Sequence, residues 1–593
     1  MRVDGSTLLE YDARGMLSGV ISPEATLRFE RDASGRIVAE DQDGVRLTRQ
    51  LDVMGRPVSY HSDYGVDTTF GWSASGRCAT VRHGEAAITF TRDAMGREVG
   101  RDLAGAGRFE QSYDSVGRLT GQVFRSVSGG GAAQVQRGFS YDARGFLLEI
   151  QDSLRGRTEL RHNDRGDLTG VLRERGWSDV AAFDGCQNRV YYAQTEHSQA
   201  LALAFRAAER SRAQGYDEAP VDRVIAATPH VGTAQAYTRG NRVVSLDKTD
   251  GTRVELEYDA NGCVVTKTKI RGPQRETWRF GWDSRQRMTS MMGPDGAVWR
   301  YRYDATARRI EKQSPTGETW RYVWRGQDMA DVLHDGALVE GYLHEPGGTC
   351  PLLRQDETGV HYILPDQNDG PSEEVDGASG AVGWQATKGT WAEGWLQHGH
   401  AGGEPFLGQW FDAESGLHYN RFRYYDRDTG RYFSPDPIDL HGGLNAYLGV
   451  SDPLSRYDRF GLTEGKQADC GGSQPSRPKP NIPESDDDAP PSGPRYGPFT
   501  HQINKGGLDD IVREGQMIST TGRYGDEAVR ATTHDFKPVA EGSKPVIEFY
   551  TMQAPQTNPG NGWALWYIPE GTRLNVTVTR IANSDGSLTV FPR

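Results

Sequence analysis

Short runs in which apolar and polar residues alternate recur along the chain, separated by turns rich in aspartate and glycine. Runs such as 36–39 (RIVA) and 118–121 (RLTG) have the period-two alternation of half-buried β-strands. An Asp followed three residues later by Gly suits a β-turn, because the carboxylate caps backbone N–H groups and the glycine adopts positive φ. The pattern therefore predicts β-hairpins that cannot bury their own apolar faces and that stack edge to edge into one continuous sheet.

The turns belong to an internal repeat of the form aromatic-Asp-x-x-Gly-Arg-aliphatic, with an early period of 20 or 21 residues. A degenerate copy, 72–77 (WSASGR), fills the one gap in the early series. A motif that recurs in this way is typical of a scaffold rather than of repeated catalytic sites. The copies place their aspartates at Asp12, Asp32, Asp52, Asp93, Asp114, Asp142, Asp259, Asp283 and Asp304.

One segment departs from the repeat. Residues 193–213 (AQTEHSQALALAFRAAERSRA) have Ala and Leu at helical spacing and contain neither Gly nor Pro. This spacing predicts a helix inserted between repeats, either on the surface or as a plug inside the array.

Composition narrows the class of protein. The 73 Gly, 25 Tyr and 13 Trp, with only 36% apolar residues, are typical of a turn-rich β protein. A net charge of −13 argues against broad binding to nucleic acid or anionic membranes. The sequence has no run of 18 apolar residues, so it predicts no membrane-spanning helix. The N-terminus lacks the apolar core of a Sec signal. The five cysteines are far apart and form no CxxC pair, which favours a reducing cytosol at synthesis.

The repeats, together with the block 408–462, resemble the Rhs family of YD-repeat proteins, to which teneurins and the C components of insecticidal Tc toxins are similar. The resemblance covers roughly residues 1–462. It implies a mainly β fold in which the hairpins form a spiralling hollow shell around a C-terminal cargo. A non-enzymatic adhesion protein of the teneurin type is a less favoured alternative.

The family's cleavage motif is DPxG, eighteen residues, then DPxGL, with scission after the leucine. Here 436–439 (DPID) is followed by eighteen residues and then by 458–462 (DRFGL). The resemblance therefore implies self-cleavage between Leu462 and Thr463, carried out by Asp436 and Asp458.

The chemistry explains why two aspartates are needed. Two carboxylates held close together cannot both ionise easily, so one keeps a proton and assists the scissile carbonyl while the other activates water. The chain departs from the motif twice, with Asp439 in place of the first Gly and Arg459 in place of the second Pro. The alternative is a shell-closing segment that no longer cuts. Asp426 and Asp452, which lie nearby in sequence, are interpreted as turn residues.

Composition changes sharply after Leu462. Residues 463–495 are rich in Pro, Gly, Ser and acidic residues, which predicts a disordered linker. The predicted organisation is therefore a repeat shell at 1–404, a closing and self-cleavage segment at 405–462, this linker, and a toxin domain at 496–593. For the toxin domain we predict a small α+β fold, with a helix at 503–517 and strands at 545–552, 563–568, 574–580 and 588–591.

The toxin domain loosely resembles ADP-ribosyltransferase toxins of the His-Tyr-acid type, on the segment 499–519 (FTHQINKGGLDDIVREGQMIS). The resemblance implies NAD as the substrate, with no metal. It implies that His501 binds a ribose hydroxyl, that Tyr524 stacks on nicotinamide and that Glu548 stabilises the oxocarbenium-like transition state. Each of these residues also has an ordinary interpretation as a cap, turn or strand residue.

A metal-independent ribonuclease is the alternative for the toxin. His501 and His534 would form its acid–base pair, with Arg530 or Lys537 stabilising the phosphate. Residues 496–593 hold 9 Lys and Arg against 10 Asp and Glu, which is not the basic surface typical of nucleases.

These assignments predict the partners and the location. The producing bacterium needs an immunity protein that binds the toxin, and the toxin needs a target protein or RNA. We expect synthesis in the bacterial cytoplasm, export without a Sec signal, as for type VI secretion effectors, and action in the cytoplasm of a target cell. A secretion-apparatus partner, a further shell segment or self-association is expected to complete the shell.

Overall fold

The computed structural model of the chain describes residues 2–3, 7–65, 67–195, 232–238, 240–248, 250–387, 389–391, 396–398, 408–462 and 465–466, and, beyond them, eight strands. The chain divides into two compact units, Met1–Pro478 and Lys479–Arg593, and each is described by itself. The division falls inside the linker predicted at 463–495. No helix among the described residues is long and apolar enough to cross a membrane.

The first unit is built on one antiparallel sheet of 35 strands. Each strand pairs with the strands before and after it in the chain, as the stacked-hairpin prediction requires. The strands are β1 (Arg2–Val3), β2 (Thr7–Tyr11), β3 (Leu17–Ile21), β4 (Thr26–Arg31), β5 (Ile37–Gln42), β6 (Val45–Leu51), β7 (Pro57–Ser62), β8 (Thr68–Trp72), β9 (Cys78–His83), β10 (Ala86–Arg92), β11 (Glu98–Leu103), β12 (Gly107–Tyr113), β13 (Leu119–Ser126), β14 (Ala133–Tyr141), β15 (Leu147–Asp152), β16 (Gly156–His162), β17 (Leu168–Arg173), β18 (Ser178–Phe183), β19 (Arg189–Thr195), β20 (Gly232–Tyr237), β21 (Val243–Asp247), β22 (Arg253–Tyr258), β23 (Val264–Arg271), β24 (Gln274–Trp282), β25 (Met288–Met292), β26 (Val298–Tyr303), β27 (Arg309–Gln313), β28 (Thr319–Arg325), β29 (Asp328–His334), β30 (Ala337–His344), β31 (Pro351–Asp356), β32 (Gly359–Pro365), β33 (Pro371–Asp376), β34 (Val382–Thr387) and β35 (Leu396–His398).

The Asp-x-x-Gly-Arg turns are held by the residues that define the repeat. In the turn that follows β4, Oδ1 of Asp32 accepts hydrogen bonds of 2.9 Å from the backbone N–H groups of Ser34 and Arg36. The side chain of Arg36 donates to Oδ2 of Asp32 at 2.7 Å and to the carbonyl of Asp52, one repeat later, at 3.0 Å. Gly35 has φ of 82°, which only glycine adopts at little cost. In this turn the Asp therefore shapes the backbone, and the Arg links the turn to the next one.

In copies where a tyrosine precedes the Asp, such as those at 113 and 141, that tyrosine links its repeat to the one before it. The Tyr113 hydroxyl donates to the carbonyl of Glu98 at 2.9 Å, and the Tyr141 hydroxyl donates to that of Leu119 at 2.8 Å. The guanidinium of Arg97 lies 4.7 Å from the ring centre of Tyr113, a cation–π contact between consecutive repeats. The Tyr-Asp pair is thus structural, as its recurrence predicts.

The sheet coils back on itself, so strands far apart in sequence pack side by side. The backbone N–H of Trp324 donates to Oε1 of Gln42 at 2.9 Å, and the Ser62 hydroxyl donates to Asp331 at 2.9 Å. Arg137 is buried and forms an ion pair with Glu373, which is equally buried. The predicted fold class, mainly β with stacked hairpins that coil into a shell, is confirmed for the described residues of this unit.

The block that follows the sheet closes the core. Its strands β36 (Trp410–Asp412), β37 (Leu417–Asn420), β38 (Arg423–Asp426) and β39 (Arg431–Tyr432) form a separate four-stranded sheet. Tyr419 and Tyr424 of this sheet belong to the same apolar cluster as residues of the repeat strands, and buried Arg309 donates to buried Asp412 at 3.0 Å. A 3-10 helix (Asp439–Gly442) follows, and then β40 (Arg456–Tyr457) pairs with β41 (Gly465–Lys466).

The helix predicted at 193–213 is wrong at its start. Residues 193–195 end β19, where they pair with β18, and the remainder lies outside the described residues. The run RVYYAQT is rich in β-branched and aromatic residues, and pairing with a formed sheet edge outweighs the helical spacing of its Ala.

In the second unit the structure describes only strands. They are β42 (Tyr496–Gln502), β43 (Gln516–Ile518), β44 (Ala528–Thr532), β45 (Val546–Thr551), β46 (Trp563–Tyr567), β47 (Arg573–Asn575), β48 (Thr577–Ala582) and β49 (Leu588–Val590). Six form a sheet in the order β46-β44-β42-β45-β48-β49, and β43 pairs with β47. The predicted strands are found, with the run 574–580 divided between β47 and β48. Residues 516 and 517, predicted to end a helix, lie in β43, and the rest of that helix is outside the described residues.

Candidate active site

Asp436 and Asp458 converge on one arginine. Nη2 of Arg423 lies 3.1 Å from Oδ2 of Asp436 and 3.2 Å from Oδ2 of Asp458. All three side chains are buried. Arg423 opens β38, Asp436 follows β39, and Asp458 follows β40, so three separate segments of the closing block supply the cluster. The structure brings the two sequence-predicted aspartates together around a cation that the motif does not include.

Burial changes the proton affinity of both carboxyl groups. Loss of solvent raises the pKa of Asp436 above its ordinary value, and the Arg423 charge opposes this rise. Loss of solvent also raises the pKa of Asp458, opposed by Arg423, by the Leu462 N–H and by the Tyr432 hydroxyl. The negative charge of Asp436 raises the pKa of Asp458 further. A pair of this kind favours the state that holds one proton between two acids.

Two further residues, which the sequence motif does not identify, position Asp458. The Tyr432 hydroxyl donates to Oδ2 of Asp458 at 3.0 Å, and Nδ2 of Asn420 donates to its backbone carbonyl at 2.7 Å. The guanidinium of Arg423 lies 3.7 Å from the ring centre of Tyr432. These residues precede Asp436 in the block 408–462, and no local spacing marks them. Only their place in the block that resembles the family could have suggested them.

The backbone before the predicted cut lies against both aspartates. The N–H of Leu462 donates to Oδ1 of Asp458 at 2.8 Å. A Cβ added to Gly442 would lie 2.5 Å from the carbonyl oxygen of Leu462 and closer still to Oδ2 of Asp436, so these two oxygens flank one point. Arg423 also donates to the carbonyl of Gly461. Thr463 lies outside the described residues.

The two departures from the motif have structural accommodations. Asp439 has φ of 52°, the left-handed conformation that the motif's glycine adopts freely and that aspartate tolerates better than most residues. Its charge raises the pKa of Asp436. Arg459, in place of proline, forms an ion pair with Asp328 at the start of β29 and so ties the cleavage segment to the repeat sheet.

Asp426 and Asp452, predicted as turn residues, each stand at the start of a turn, Asp426 as the last residue of β38. Oδ1 of Asp426 accepts the backbone N–H of Asp428 at 3.2 Å, and Oδ1 of Asp452 accepts that of Leu454 at 3.1 Å. Both acids also contact buried side chains of the repeat sheet. Lys267 donates to Asp426, and the imidazole of His162 contacts Asp452.

The toxin residues are described by their strands alone. His501 lies in β42 and Glu548 in the neighbouring β45, where His501 pairs with Ile547 and Glu548 with Thr500. Arg530 lies in β44 opposite Leu565. Tyr524, His534 and Lys537 lie outside the described residues. The roles of all these residues therefore stay predictions.

Known proteins match the repeat and align with most of this chain. The family model RHS Repeat matches residues 282–319. The chain is 30% identical over 481 residues to the probable deoxyribonuclease RhsA of Dickeya dadantii, an alignment that covers 75% of this chain and 30% of that protein. The chain belongs to the Rhs family.

Other relatives of this Rhs chain carry toxin names. It is 27% identical over 543 residues to the double-stranded DNA deaminase toxin A of Burkholderia cenocepacia, covering 84% of this chain and 34% of that protein. It is 27% identical over 535 residues to the toxin protein Tse5 of Pseudomonas aeruginosa, covering 76% and 37%. Among solved structures, a TcdB2-TccC3-Cdc42 complex matches with a TM-score of 0.41 and 15% identity, over 77% of this chain and 28% of that one. The Rhs chain thus spans about a third of the length of these curated relatives.

Proposed function

We propose that this Rhs chain is a toxin carrier that cuts its own backbone after Leu462 and releases residues 463–593. One observation carries the proposal: two buried carboxylates, Asp436 and Asp458, share Arg423 and flank the backbone of Leu462. Two aspartates that share one proton are the arrangement with which aspartic proteases hydrolyse amide bonds.

The two acids act as a pair that shares one proton. Asp458 accepts hydrogen bonds from Leu462, Tyr432 and Arg423, but burial and the charge of Asp436 raise its pKa, so neither acid alone is assigned the proton. The ionised acid of the pair activates water, and the protonated one supplies the proton that the carbonyl oxygen of Leu462 takes up as the carbonyl becomes tetrahedral. Arg423 prevents the pair from holding two protons at neutral pH, because its charge stabilises one carboxylate.

For the released part we propose a toxic enzyme, in line with the toxin names of the relatives. We favour an ADP-ribosyltransferase that consumes NAD, with His501 binding the ribose, Tyr524 stacking on nicotinamide and Glu548 stabilising positive charge at the transition state. Residues 496–593 are nearly balanced in charge, which supports this reading over the ribonuclease that would use His501 and His534.

The same proposal defines the partners. A carrier that releases a harmful enzyme requires an immunity protein in the producing cell, a secretion apparatus or shell partner, and a protein or RNA target in the cytoplasm of the recipient cell. The acidic balance of the chain fits a carrier that does not bind nucleic acid or membranes broadly.

The self-cleavage is tested on the purified full chain. We expect two fragments under denaturing conditions, and N-terminal sequencing should show that the smaller one begins at Thr463. Asp436→Asn and Asp458→Asn should each leave the chain uncut, whereas Asp452→Asn, which changes a turn acid of the same block, should not. A wild-type chain that stays intact after prolonged incubation contradicts the proposal.

A further inference from the structure

One turn of the repeat array, between β32 and β33, departs from the repeat in sequence but keeps its geometry. Oδ1 of Asp366 accepts hydrogen bonds from the backbone N–H groups of Asn368 at 2.8 Å and Gly370 at 2.9 Å. An ordinary repeat turn has the same two contacts. Asp369 occupies the glycine position, and its φ of 58° is the left-handed conformation that the turn requires there. The five residues from Asp366 to Gly370 are therefore a copy of the repeat turn.

The tip of this turn is buried, whereas the tips of ordinary copies are exposed. Met54, Met95 and Val116 stand at the second tip position of their turns and are 76%, 77% and 71% exposed. Asn368, at the same position, is 6% exposed, and its neighbour Gln367 is 5% exposed. The repeat requires no amide at either position, and buried amides need hydrogen-bond partners. These two side chains therefore indicate a role beyond the scaffold.

Both amides hold the backbone that precedes the second aspartate of the cleavage motif. Nδ2 of Asn368 donates to the carbonyls of Arg456 at 2.7 Å and Pro453 at 3.2 Å. Nε2 of Gln367 donates to the carbonyl of Leu454 at 2.8 Å. A flipped Asn368 amide would place its oxygen against two carbonyls, so its orientation is determined. The turn therefore fixes this stretch of backbone through three hydrogen bonds.

The backbone held in this way adjoins both sides of the predicted cut. β40, which begins at Arg456, pairs with β41 beyond the cut. Asp458 follows β40 directly, and its Oδ1 accepts the N–H of Leu462, just before the cut. Asn368 therefore holds the strand that pairs with residues after the cut and that leads into the acid before it.

The same segment has a second anchor, which does not involve the two amides. The N–H of Leu168 donates to the carbonyl of Ser451 at 3.2 Å, and Nε2 of His162 lies 2.9 Å from Oδ2 of Asp452. Both contacts come from the hairpin of β16 and β17, and they reach only the first residues of the segment. Removal of the amides therefore leaves the segment anchored at its start and loosens its later part, next to Asp458.

We propose that Asn368 and Gln367 are positioning residues for self-cleavage, an inference that rests on the self-cleavage proposed above. They act through the backbone of residues 453–456 rather than on the reacting atoms. By fixing this backbone they hold Asp458 beside Arg423 and hold β40 where it pairs with β41. One altered turn of the repeat array thus belongs to the machinery that cuts the chain.

The test follows cleavage of the newly synthesised full chain in a cell-free system. Asn368→Leu keeps the size of the side chain and removes both of its donated hydrogen bonds. We expect it to slow cleavage by about 10- to 100-fold, because displacement of a reacting group by about 1 Å has an effect of this order. Gln367→Met removes one hydrogen bond and should slow cleavage less. The matched control is Gln235→Met, which removes a buried amide that donates to the carbonyl of Thr429, elsewhere in the closing block, and should cleave at the wild-type rate.

Hydrogen exchange, measured by mass spectrometry, separates positioning from a general loss of stability. The uncut Asp436→Asn chain is compared with and without Asn368→Leu, on peptides from all parts of the first unit. We expect faster exchange in residues 453–466, which include the Leu462 N–H bonded to Asp458, and unchanged exchange in the repeat strands. The unfolding temperatures of the two chains should be nearly equal. If Asn368→Leu does not fold, Gln367→Met is compared in the same way and decides the matter.

The outcomes distinguish this proposal from the one on which it rests. If the wild-type chain is not cut, the proposed function fails, and positioning for self-cleavage fails with it. If the wild-type chain is cut and Asn368→Leu is cut equally fast, only the positioning proposal fails. Slow cleavage together with faster exchange throughout the sheet also overturns the positioning proposal, because the turn would then serve the fold alone. Slow cleavage with the change in exchange confined to residues 453–466 supports it.

Discussion

The backbone N–H of Leu462 donates a 2.8 Å hydrogen bond to Oδ1 of Asp458, four residues before it. This contact makes the acid and the residue before the predicted cut parts of one tight loop, so the orientation of the peptide bond depends on the protonation state of the acid. A carboxylate accepts this hydrogen bond more strongly than a neutral acid does. The observed position of the Leu462 backbone and ionisation of Asp458 therefore support each other.

We first predict a bell-shaped pH dependence of cleavage. The active state has one proton on the Asp436–Asp458 pair, so the rate should fall at low pH, where both acids are protonated, and at high pH, where both are ionised. Because burial raises the pKa of each acid, the active range should extend to higher pH than isolated aspartates permit. The two apparent pKa values belong to the pair. Cleavage rates of newly synthesised full chain, measured between pH 3 and 9, test this prediction. A cleavage rate that rises steadily with pH contradicts it.

The substitution Asp439→Gly should change that profile in a defined direction. Removing the Asp439 charge lowers the pKa of Asp436, so the high-pH limb should move to lower pH. Glycine also adopts the φ of 52° without strain, and the free energy of unfolding should rise by about 1 kcal/mol. Asp439→Asn serves as the control, since it removes the charge but keeps the side chain. A limb that moves for neither variant would show that Asp439 does not act on the pair.

Gly442 should be intolerant of a side chain. The methyl group of alanine would lie 2.5 Å from the Leu462 carbonyl oxygen and closer to Asp436, so the two oxygens must separate. We expect Gly442→Ala to slow cleavage by about 100-fold. Gly185→Ala is the matched control, because an added Cβ there meets no atom within 4 Å. Normal cleavage by Gly442→Ala would mean that Asp436 does not act on this carbonyl.

The sequence predicts contacts between residues that are close in the chain better than contacts between residues that are far apart in it. The repeat turns are local, with Asp32 and Arg36 four residues apart, so the period alone predicts their strands and hydrogen bonds. The pairing of Asp436 with Asp458 is not local, and a family motif was needed to connect them. Arg423, Tyr432 and Asn420 escaped prediction, because nothing in their own neighbourhoods distinguishes them from other residues of a buried sheet.

A fourth prediction concerns the stability of the shell. Burial raises the pKa of Asp369 to about 6, although Thr349 donates a 3.0 Å hydrogen bond to it. With a folded-state pKa above the unfolded value, the stability present below about pH 4 is lost as the pH rises through about 6. Asp369→Asn avoids that loss and suits the φ of 58°. It should therefore stabilise the chain by about 1–2 kcal/mol at pH 7.5 and by almost nothing at pH 4.

Denaturant unfolding at the two pH values, in the uncut Asp458→Asn chain, measures the effect. Asp356→Asn serves as a control with the opposite sign. Thr358 and Arg354 donate hydrogen bonds to Asp356 and lower its pKa, so loss of this carboxylate should destabilise the chain at pH 7.5. Equal stability of Asp369→Asn and its parent at pH 7.5 would contradict the raised pKa of Asp369.

The last prediction concerns the released part. Residues 463–593, expressed alone in a bacterial cytosol, should stop growth, because a carrier with a dedicated cut site serves a cargo that harms its producer. If the cargo is an ADP-ribosyltransferase, incubation with labelled NAD and cell lysate should transfer label to protein or RNA. Glu548→Gln should abolish transfer by removing the charge that stabilises the oxocarbenium-like state, and Glu541→Gln, an acid outside the predicted site, should not. Release of free ADP-ribose alone would indicate an NAD glycohydrolase. Fragmented RNA with intact NAD would instead establish the ribonuclease, and His534→Ala would then be the variant that loses toxicity.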